Sequence, residues 1–272
     1  MTITTLAAPP RTSRGSAFVP ASLAVAKRTL LKFVRTPALI VVGTIQGGMF
    51  LLIFRYVFGG AINSGTLRYV DFLIPGFVMT SVLFGGMNAS AGIAEDVESG
   101  LLDRLRSLPM PRSAAIAGRV LGDTTMLVWS LAVTTAIGFA VGFRLHADLS
   151  SAVAAFALCA LFGFVFCWLF MTLGLLAGNA QAAQGLSMLI FPLTFVSSAY
   201  VPVRTMPSWI RPVADHQPIT VMVNAVRSLT EGQGATALMG HHAAYYVTAS
   251  LVWCVVIVAV FAPIAVARYR RG

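Results

Sequence analysis

Residues 150–177 read SSAVAAFALCALFGFVFCWLFMTLGLLA, and this stretch contains no charged side chain. A helix needs about 20 apolar residues to cross the hydrocarbon core of a bilayer, so this run is long enough to span it. The whole chain agrees, because 57% of its 272 residues are hydrophobic and only 10% are charged. Soluble domains carry about 25% charged residues. The sequence therefore predicts an all-α membrane protein and excludes a soluble enzyme, a disordered chain and a coiled coil.

Six apolar runs divide the chain, and each is long enough to cross a membrane as a helix. They cover about residues 38–58, 70–94, 115–143, 150–177, 183–201 and 244–267. Residues 1–19 are predicted to form a disordered cytoplasmic tail, and residues 20–272 a single transmembrane domain. The segment 202–243 is too polar to span, so we expect an outer-face helical or re-entrant element there.

The distribution of Lys and Arg predicts the orientation of the chain, because cytoplasmic loops carry an excess of both residues. Most of the 19 basic residues fall on the inner side when the N-terminus is placed there. This predicts a multi-pass protein of the cell membrane with both termini in the cytoplasm. The net charge of +10 then reflects loops held against anionic membrane lipids rather than a nucleic-acid partner.

An interfacial amphipathic helix is predicted at residues 21–35, before the first apolar run. At about 100° per residue, the apolar side chains on one side are Leu23, Ala26, Leu30, Phe33 and Val34. The basic side chains on the other side are Lys27, Arg28, Lys32 and Arg35. A helix of this kind lies along the inner leaflet of the membrane.

The loop between the second and third runs, AEDVESGLLDRLRSLPMPRSAAIAGRVLGD at residues 94–123, carries most of the functional information. It begins with an acidic cluster, and Ser99-Gly100 can end one helix and begin the next. Leucines then recur at helical spacing until Pro109 and Pro111 stop the helix. The pattern predicts a short amphipathic helix at about 99–108. This helix either presses its apolar face into a groove on a partner or lies flat on the membrane.

Three stretches resemble ABC-2 type transporter permeases, and within them the daunorubicin-resistance type of drug exporter. They are SGLLDRLRSLPMPRSA at 99–114 with Gly122-Asp123 after it, YVDFLIPGFVMTSVLF at 69–84, and FPLTFVSSAYVPVRTMPSWIRPVADHQPITVMVNAVRSL at 191–229. The likeness covers most of residues 25–268. One departure is Gln217-Pro218, where members of the family often have Asn-Pro.

The resemblance implies a permease subunit that works with two copies of a separate ATP-binding subunit and with a second permease chain. The second chain is either a copy of this one or a paralogue. The helix at about 99–108 would be the coupling helix, which closure of the ATPases pushes. The residues so marked for ATPase coupling are Glu95, Asp96, Glu98, Gly100, Leu101, Leu102, Asp103, Arg104 and Leu105. The implied cargo is a lipophilic drug or antibiotic, with a cell-envelope lipid or glycan as the alternative.

The chain has no phosphate-binding loop of its own, because its only lysines, Lys27 and Lys32, do not belong to a GxxxxGK[ST] motif. We therefore expect it to bind no cofactor, with ATP and Mg²⁺ on the partner subunit, and to hold no catalytic residue. No metal site is predicted either, because the adjacent His241 and His242 would point two ways on a helix. The sequence lacks the GxSxG and HExxH motifs of hydrolases. A non-transporting membrane scaffold remains as the alternative from another class.

Three further sets of residues are candidates for a role. Arg119 and Asp123 stand at i, i+4 and form either a structural salt bridge or part of the coupling path. Four residues either line an apolar route for a lipophilic substrate or face lipid and the bundle core: Phe191, Phe195, Met188 and Trp168. The GxxxG pair Gly118 and Gly122 predicts close packing between helices.

Overall fold

The computed structural model describes residues 18–36, 45, 47–60, 62, 67–236 and 239–271. These residues are 81% helical and contain no strand, which confirms the all-α prediction. The predicted tail up to residue 17 and part of the first predicted span, residues 38–44 and 46, lie outside the described residues. Phe18 and Val19, which were assigned to the tail, belong to the first helix.

The described residues form a series of helices along the chain. They are α1 (Phe18–Val34), α2 (Gly47–Phe58), α3 (Tyr69–Glu98), α4 (Leu101–Ser107), α5 (Arg112–Ala140), α6 (Leu149–Ala177), α7 (Ala180–Met188), α8 (Pro192–Phe195), α9 (Arg211–His216), α10 (Pro218–Glu231), α11 (Gln233–Thr236) and α12 (Ala243–Arg271). The last turn of α2, Phe54–Phe58, is wound as a π-helix.

Four of these helices, α3, α5, α6 and α12, are long and apolar enough to cross a membrane. They correspond to the predicted second, third, fourth and sixth spans. Helix α3 is central, because its apolar stretch is 83% buried, against 22% for α12. Helix α6 lies against it at Gly174, where a Cβ atom would overlap the carbonyl oxygen of Ser90. This glycine therefore sets the spacing between the two helices.

The bundle has two ends, which differ in the elements they carry. Helix α4 lies at one end, together with the last residues of α3 and α12 and the start of α5. We call this the α4 end. The start of α3, the loop 141–148 and helices α9 and α10 lie at the other end, which we call the distal end.

The fifth predicted span, residues 183–201, is not a continuous helix, and the prediction of one was wrong. Helix α7 ends at Met188, and α8 holds only four residues before the chain enters turns. Pro192 accounts for the break, since proline lacks a backbone N–H and clashes with the preceding turn of a helix. Helix α7 has nine residues, and at about 1.5 Å per residue it is too short to cross a bilayer. The described residues therefore contain four helices that are long and apolar enough to span a membrane, and the count of six spans is not confirmed.

The polar segment after this broken run holds the short helices α9, α10 and α11. Pro218 stands in the first turn of α10, where its missing N–H costs no hydrogen bond. Most residues of α10 are buried, so the helix is packed into the distal end. The side chain of Gln217 donates hydrogen bonds to the carbonyl oxygens of Leu193 (3.2 Å) and Val196 (2.6 Å). These bonds join α10 to the broken fifth run.

Helix α1 packs along α5, and small residues make the contact. A Cβ atom on Gly118 would overlap the carbonyl oxygen of Ser22, and one on Gly122 would come too close to Thr29. The close packing predicted for this glycine pair is thus present between α5 and α1. Leu23, on the predicted apolar face, remains 58% exposed, which leaves it free to contact lipid in an interfacial helix.

Candidate coupling site

A glycine turn separates α4 from the long helix before it. Gly100 adopts φ +67°, a left-handed conformation that glycine reaches without the clash that a Cβ atom brings. Helix α4 then runs over Leu101–Ser107, and Leu108 and Pro111 are extended. The short helix predicted at about 99–108 is therefore present, at the α4 end of the bundle.

The leucines of α4 face their own bundle. Leu102 is only 4% exposed and packs in a core cluster with residues of α3, α5, α6 and α12, while Leu101 and Leu105 are half-buried. This differs from the expectation that the leucine face meets a partner, because the bundle already occupies that face. The residues turned outward are Asp103, Arg104, Ser107 and Leu108.

Arg106 fixes α4 to the end of α12, a contact that the sequence did not predict. Its Nη2 atom donates to the carbonyl oxygen of Tyr269 at 2.8 Å. Its guanidinium also lies 4.7 Å from the centre of the Tyr269 ring, within the range of a cation–π contact. A second nitrogen, Nη1, bonds Asp103 Oδ1 at 2.6 Å. Helix α4 is thus attached to α3 through the Gly100 turn and to α12 through this arginine.

A buried group of charges lies beside the turn, between α1, α3 and α5. Arg119 Nε donates to Asp123 Oδ2 at 2.9 Å, and Arg119 Nη1 donates to Asp96 Oδ2. Arg28 Nη2 approaches the other oxygen of Asp96 at 3.5 Å. Arg119 is buried, whereas the Arg28 side chain is 44% exposed at the edge of the group, so two arginines face two carboxylates and the charges balance. Burial makes such a balance necessary, because an unpaired charge in the interior is costly.

The rest of the acidic cluster is exposed. Glu95 bonds Lys32 Nζ at 3.0 Å, and Glu98 is the last residue of α3. The acidic cluster therefore divides between a buried ion pair to α5 and an exposed ion pair to α1. The sequence carries a sign of these contacts. Arg28 and Lys32 lie one turn apart on α1, so both can reach the adjacent carboxylates of Glu95 and Asp96 on α3.

The four residues proposed for a substrate route are not assembled into one site. Phe191 contacts Phe84 and Phe195, with ring centres 5.2 and 5.3 Å apart. Met188 and Phe195 are about half exposed. Trp168 contacts Phe164 and packs against the core cluster that holds α4. The first three residues thus share the surface of the broken fifth run, and Trp168 belongs to a different cluster.

Arg227 is a second feature that sequence reasoning missed, and it is fully buried in α10 at the distal end. Its guanidinium donates to the carbonyl oxygens of Phe72 (2.9 Å) and Ser198 (2.8 Å) and to the side chain of Asn224 (2.9 Å). It also lies 3.8 Å from the centre of the Phe72 ring. Burial lowers the pKa of Arg227 to about 9, which leaves it charged at neutral pH. This side chain joins α3, the broken run and α10.

A cavity of about 390 Å³ lies beside Arg227, between α9, α10 and the start of α12. Its lining includes Arg204, Arg211, Asp215, His216 and Tyr246. The residues proposed for a substrate route are not among the described residues that line it.

The chain is similar to known transporter permeases over most of its length. Residues 21–230 match the family described as ABC-2 type transporter. The chain is 33% identical to the daunorubicin resistance ABC transporter permease protein DrrB1 of Streptomyces coeruleorubidus, over 98% of this chain and 92% of that protein. It is 23% identical to the probable doxorubicin resistance ABC transporter permease protein DrrC of Mycobacterium tuberculosis, over 94% and 90%. A putative transport permease, ycf38, of Cyanophora paradoxa is 24% identical over 78% and 74%.

Proposed function

Because the chain belongs to the ABC-2 type transporter family, we propose that it is the permease subunit of an ATP-driven exporter of lipophilic drugs. Two copies of a separate ATPase subunit bind and hydrolyse ATP with Mg²⁺, and a second permease chain completes the transporter. The α4 end lies in the cytoplasm, and both termini lie on that side of the cell membrane. The drug class follows from the names of two relatives, a daunorubicin resistance permease and a probable doxorubicin resistance permease.

The main support for this proposal is that α4 has one side packed on the bundle and one side exposed. A seven-residue helix stands outside the long helices, with Leu102 inserted in the bundle and Asp103, Arg104 and Leu108 turned outward. The outward side mixes two charges with one apolar side chain, as the surface of a transient protein contact does. The ATPase subunit contacts this side.

The attachments of α4 explain how a push from the ATPase reaches the spans. Gly100 joins α4 to α3, Leu102 packs against α5 and α6, and Arg106 holds the end of α12. The ion pairs of Asp96 with Arg119 and Arg28 then join α3 to α5 and α1. Displacement of α4 therefore moves the ends of several helices together, and the bundle opens to the other side.

The test is ATP-dependent uptake of daunorubicin into inside-out membrane vesicles that hold the full chain and the ATPase that co-purifies with it. We expect uptake with ATP and none without it, and a strong loss in the Arg104→Glu variant. Arg211→Glu, an exposed change at the distal end, is the matched control for protein amount. Transport of a fluorescent lipid but no drug would support the envelope-lipid alternative. If ATP increases the uptake of neither daunorubicin nor the fluorescent lipid, the result would support a non-transporting scaffold.

A further inference from the structure

Three side chains from distant parts of the sequence converge at the distal end. Asp71 lies in the first turn of α3, His146 in the loop 141–148, and Glu231 at the end of α10. One potential ligand atom from each lies within 4.8 Å of the other two. His146 Nδ1 lies 2.8 Å from Glu231 Oε2. Asp71 and Glu231 are buried, whereas the side chain of His146 is 47% exposed and open to solvent.

Glu231 is an incompletely compensated buried carboxylate. No hydrogen bond from the described residues reaches its Oε1 atom, although the residue is only 2% exposed. A buried acceptor without a partner costs free energy, and native proteins rarely keep one without a reason. Arg227 lies one turn earlier in α10, but its guanidinium bonds backbone carbonyls and Asn224 instead.

In the described part of the chain, the basic residues around the cluster bond the carboxylate of Asp71 and not that of Glu231. Arg68 bonds both carboxylate oxygens of Asp71, at 2.7 and 3.1 Å, and the backbone N–H of Arg144 donates to Oδ1 at 3.2 Å. The Arg144 side chain turns away and donates to the carbonyl oxygens of Phe139 and Phe143. Arg68 is 58% exposed, so its guanidinium can move into solvent while the backbone N–H keeps its bond.

The backbone holds His146 in place. The N–H groups of His146 and Ala147 both donate to the carbonyl oxygen of Thr230, at 3.0 and 3.1 Å. Because Thr230 precedes Glu231, these bonds hold the loop 141–148 against the end of α10 that carries Glu231. The arrangement is therefore formed in advance, which lowers the entropy cost of binding.

We propose that Asp71, His146 and Glu231 form a binding site for a divalent metal ion of the zinc type. One imidazole and two carboxylates are a donor set that Zn²⁺ accepts, with water in the fourth position. Mg²⁺ prefers oxygen ligands alone and is disfavoured by the imidazole. The ion would replace the proton between His146 and Glu231 and balance the second carboxylate. It would cross-link α3, the loop 141–148 and α10, and so stiffen the distal end.

The experiment uses the full chain, purified in detergent through a tag without histidine and stripped with a chelator. Zn²⁺ or Mg²⁺ is added, free metal is removed, and bound metal is counted by mass spectrometry alongside the thermal unfolding midpoint. We expect about one Zn²⁺ per chain, a higher unfolding midpoint with Zn²⁺, and no such rise with Mg²⁺. His146→Ala removes one of the three ligands and should leave little or no Zn²⁺ on the chain after free metal is removed.

The control is the double variant His241→Ala and His242→Ala, which removes the adjacent histidines and should keep the bound Zn²⁺. Glu231→Gln should lose it. If Glu231→Gln fails to fold, His146→Ala still decides, because a half-exposed side chain can be shortened without opening a core cavity. Zn²⁺ binding that survives His146→Ala, or no binding in the unaltered chain, would overturn the proposal.

Discussion

Arg119 is the residue on which the buried charges at the α4 end depend. It bonds Asp123 and Asp96, both buried, so Arg119→Ala would leave two carboxylates short of their partner. We expect a loss of about 3–5 kcal/mol in the free energy of unfolding, seen as a lower thermal midpoint in detergent. Asp123→Asn keeps the Asp96 pair and should cost less. Glu95→Gln removes only an exposed pair and should cost about 1 kcal/mol or less. Equal losses in all three variants would contradict this account.

Arg227 illustrates a cation held by oxygen atoms rather than by a carboxylate. Its planar fork reaches the carbonyl oxygens of Phe72 and Ser198 together with Asn224. Lysine cannot reach all three, so Arg227→Lys should leave buried acceptors unpaired and lower the stability by about 2 kcal/mol or more. Arg211→Lys, at an exposed position, is the matched control. A thermal midpoint in Arg227→Lys that equals the control would show that the fork is not needed.

At the scale of elements, the contact of α1 with α5 rests on Gly118. A side chain there would overlap Ser22, so Gly118→Val should push α1 away from α5. Because the three native cysteines are buried, a cysteine placed by Ser22→Cys can report the change through maleimide labelling. We expect slow labelling in the parent and fast labelling after Gly118→Val. Gly185→Val is the control, because no atom lies near a Cβ at that position. If labelling of this cysteine stays slow in the Gly118→Val variant, the contact of α1 with α5 does not depend on Gly118.

The two sides of α4 should respond differently to the same substitution. Leu102→Asp buries a charge in the core cluster and should lower the stability by about 3 kcal/mol or more. Leu108→Asp changes a side chain that is 51% exposed and should leave the thermal midpoint nearly unchanged. Thermal unfolding of the two purified variants checks this. A destabilised Leu108→Asp variant with an unaffected Leu102→Asp variant would reverse the assignment of the two sides.

At the scale of the whole molecule, the sequence predicted elements that depend on local pattern. Long runs such as 150–177 identified four spans, and Gly100 with Pro109 marked the ends of α4. The sequence did not predict contacts between distant residues, such as Arg106 with Tyr269 or His146 with Glu231. It also did not show which way the leucines of α4 face, because a bundle, a bilayer and a partner groove are all apolar. The sequence also did not predict the break in the fifth run, because mean hydropathy does not register where a helix is interrupted.

We propose that the outward side of α4 binds an ATPase subunit. The most direct measurement is a tagged pull-down of the full chain from native membranes in mild detergent, followed by mass spectrometry. We predict an ATP-binding subunit in about equal amount with the unaltered chain, and its loss with the double variant Arg104→Glu and Leu108→Asp. Val213→Asp, a change at an exposed apolar residue of the distal end, should retain it. Recovery of the ATPase with all three chains, or with none, would contradict the account.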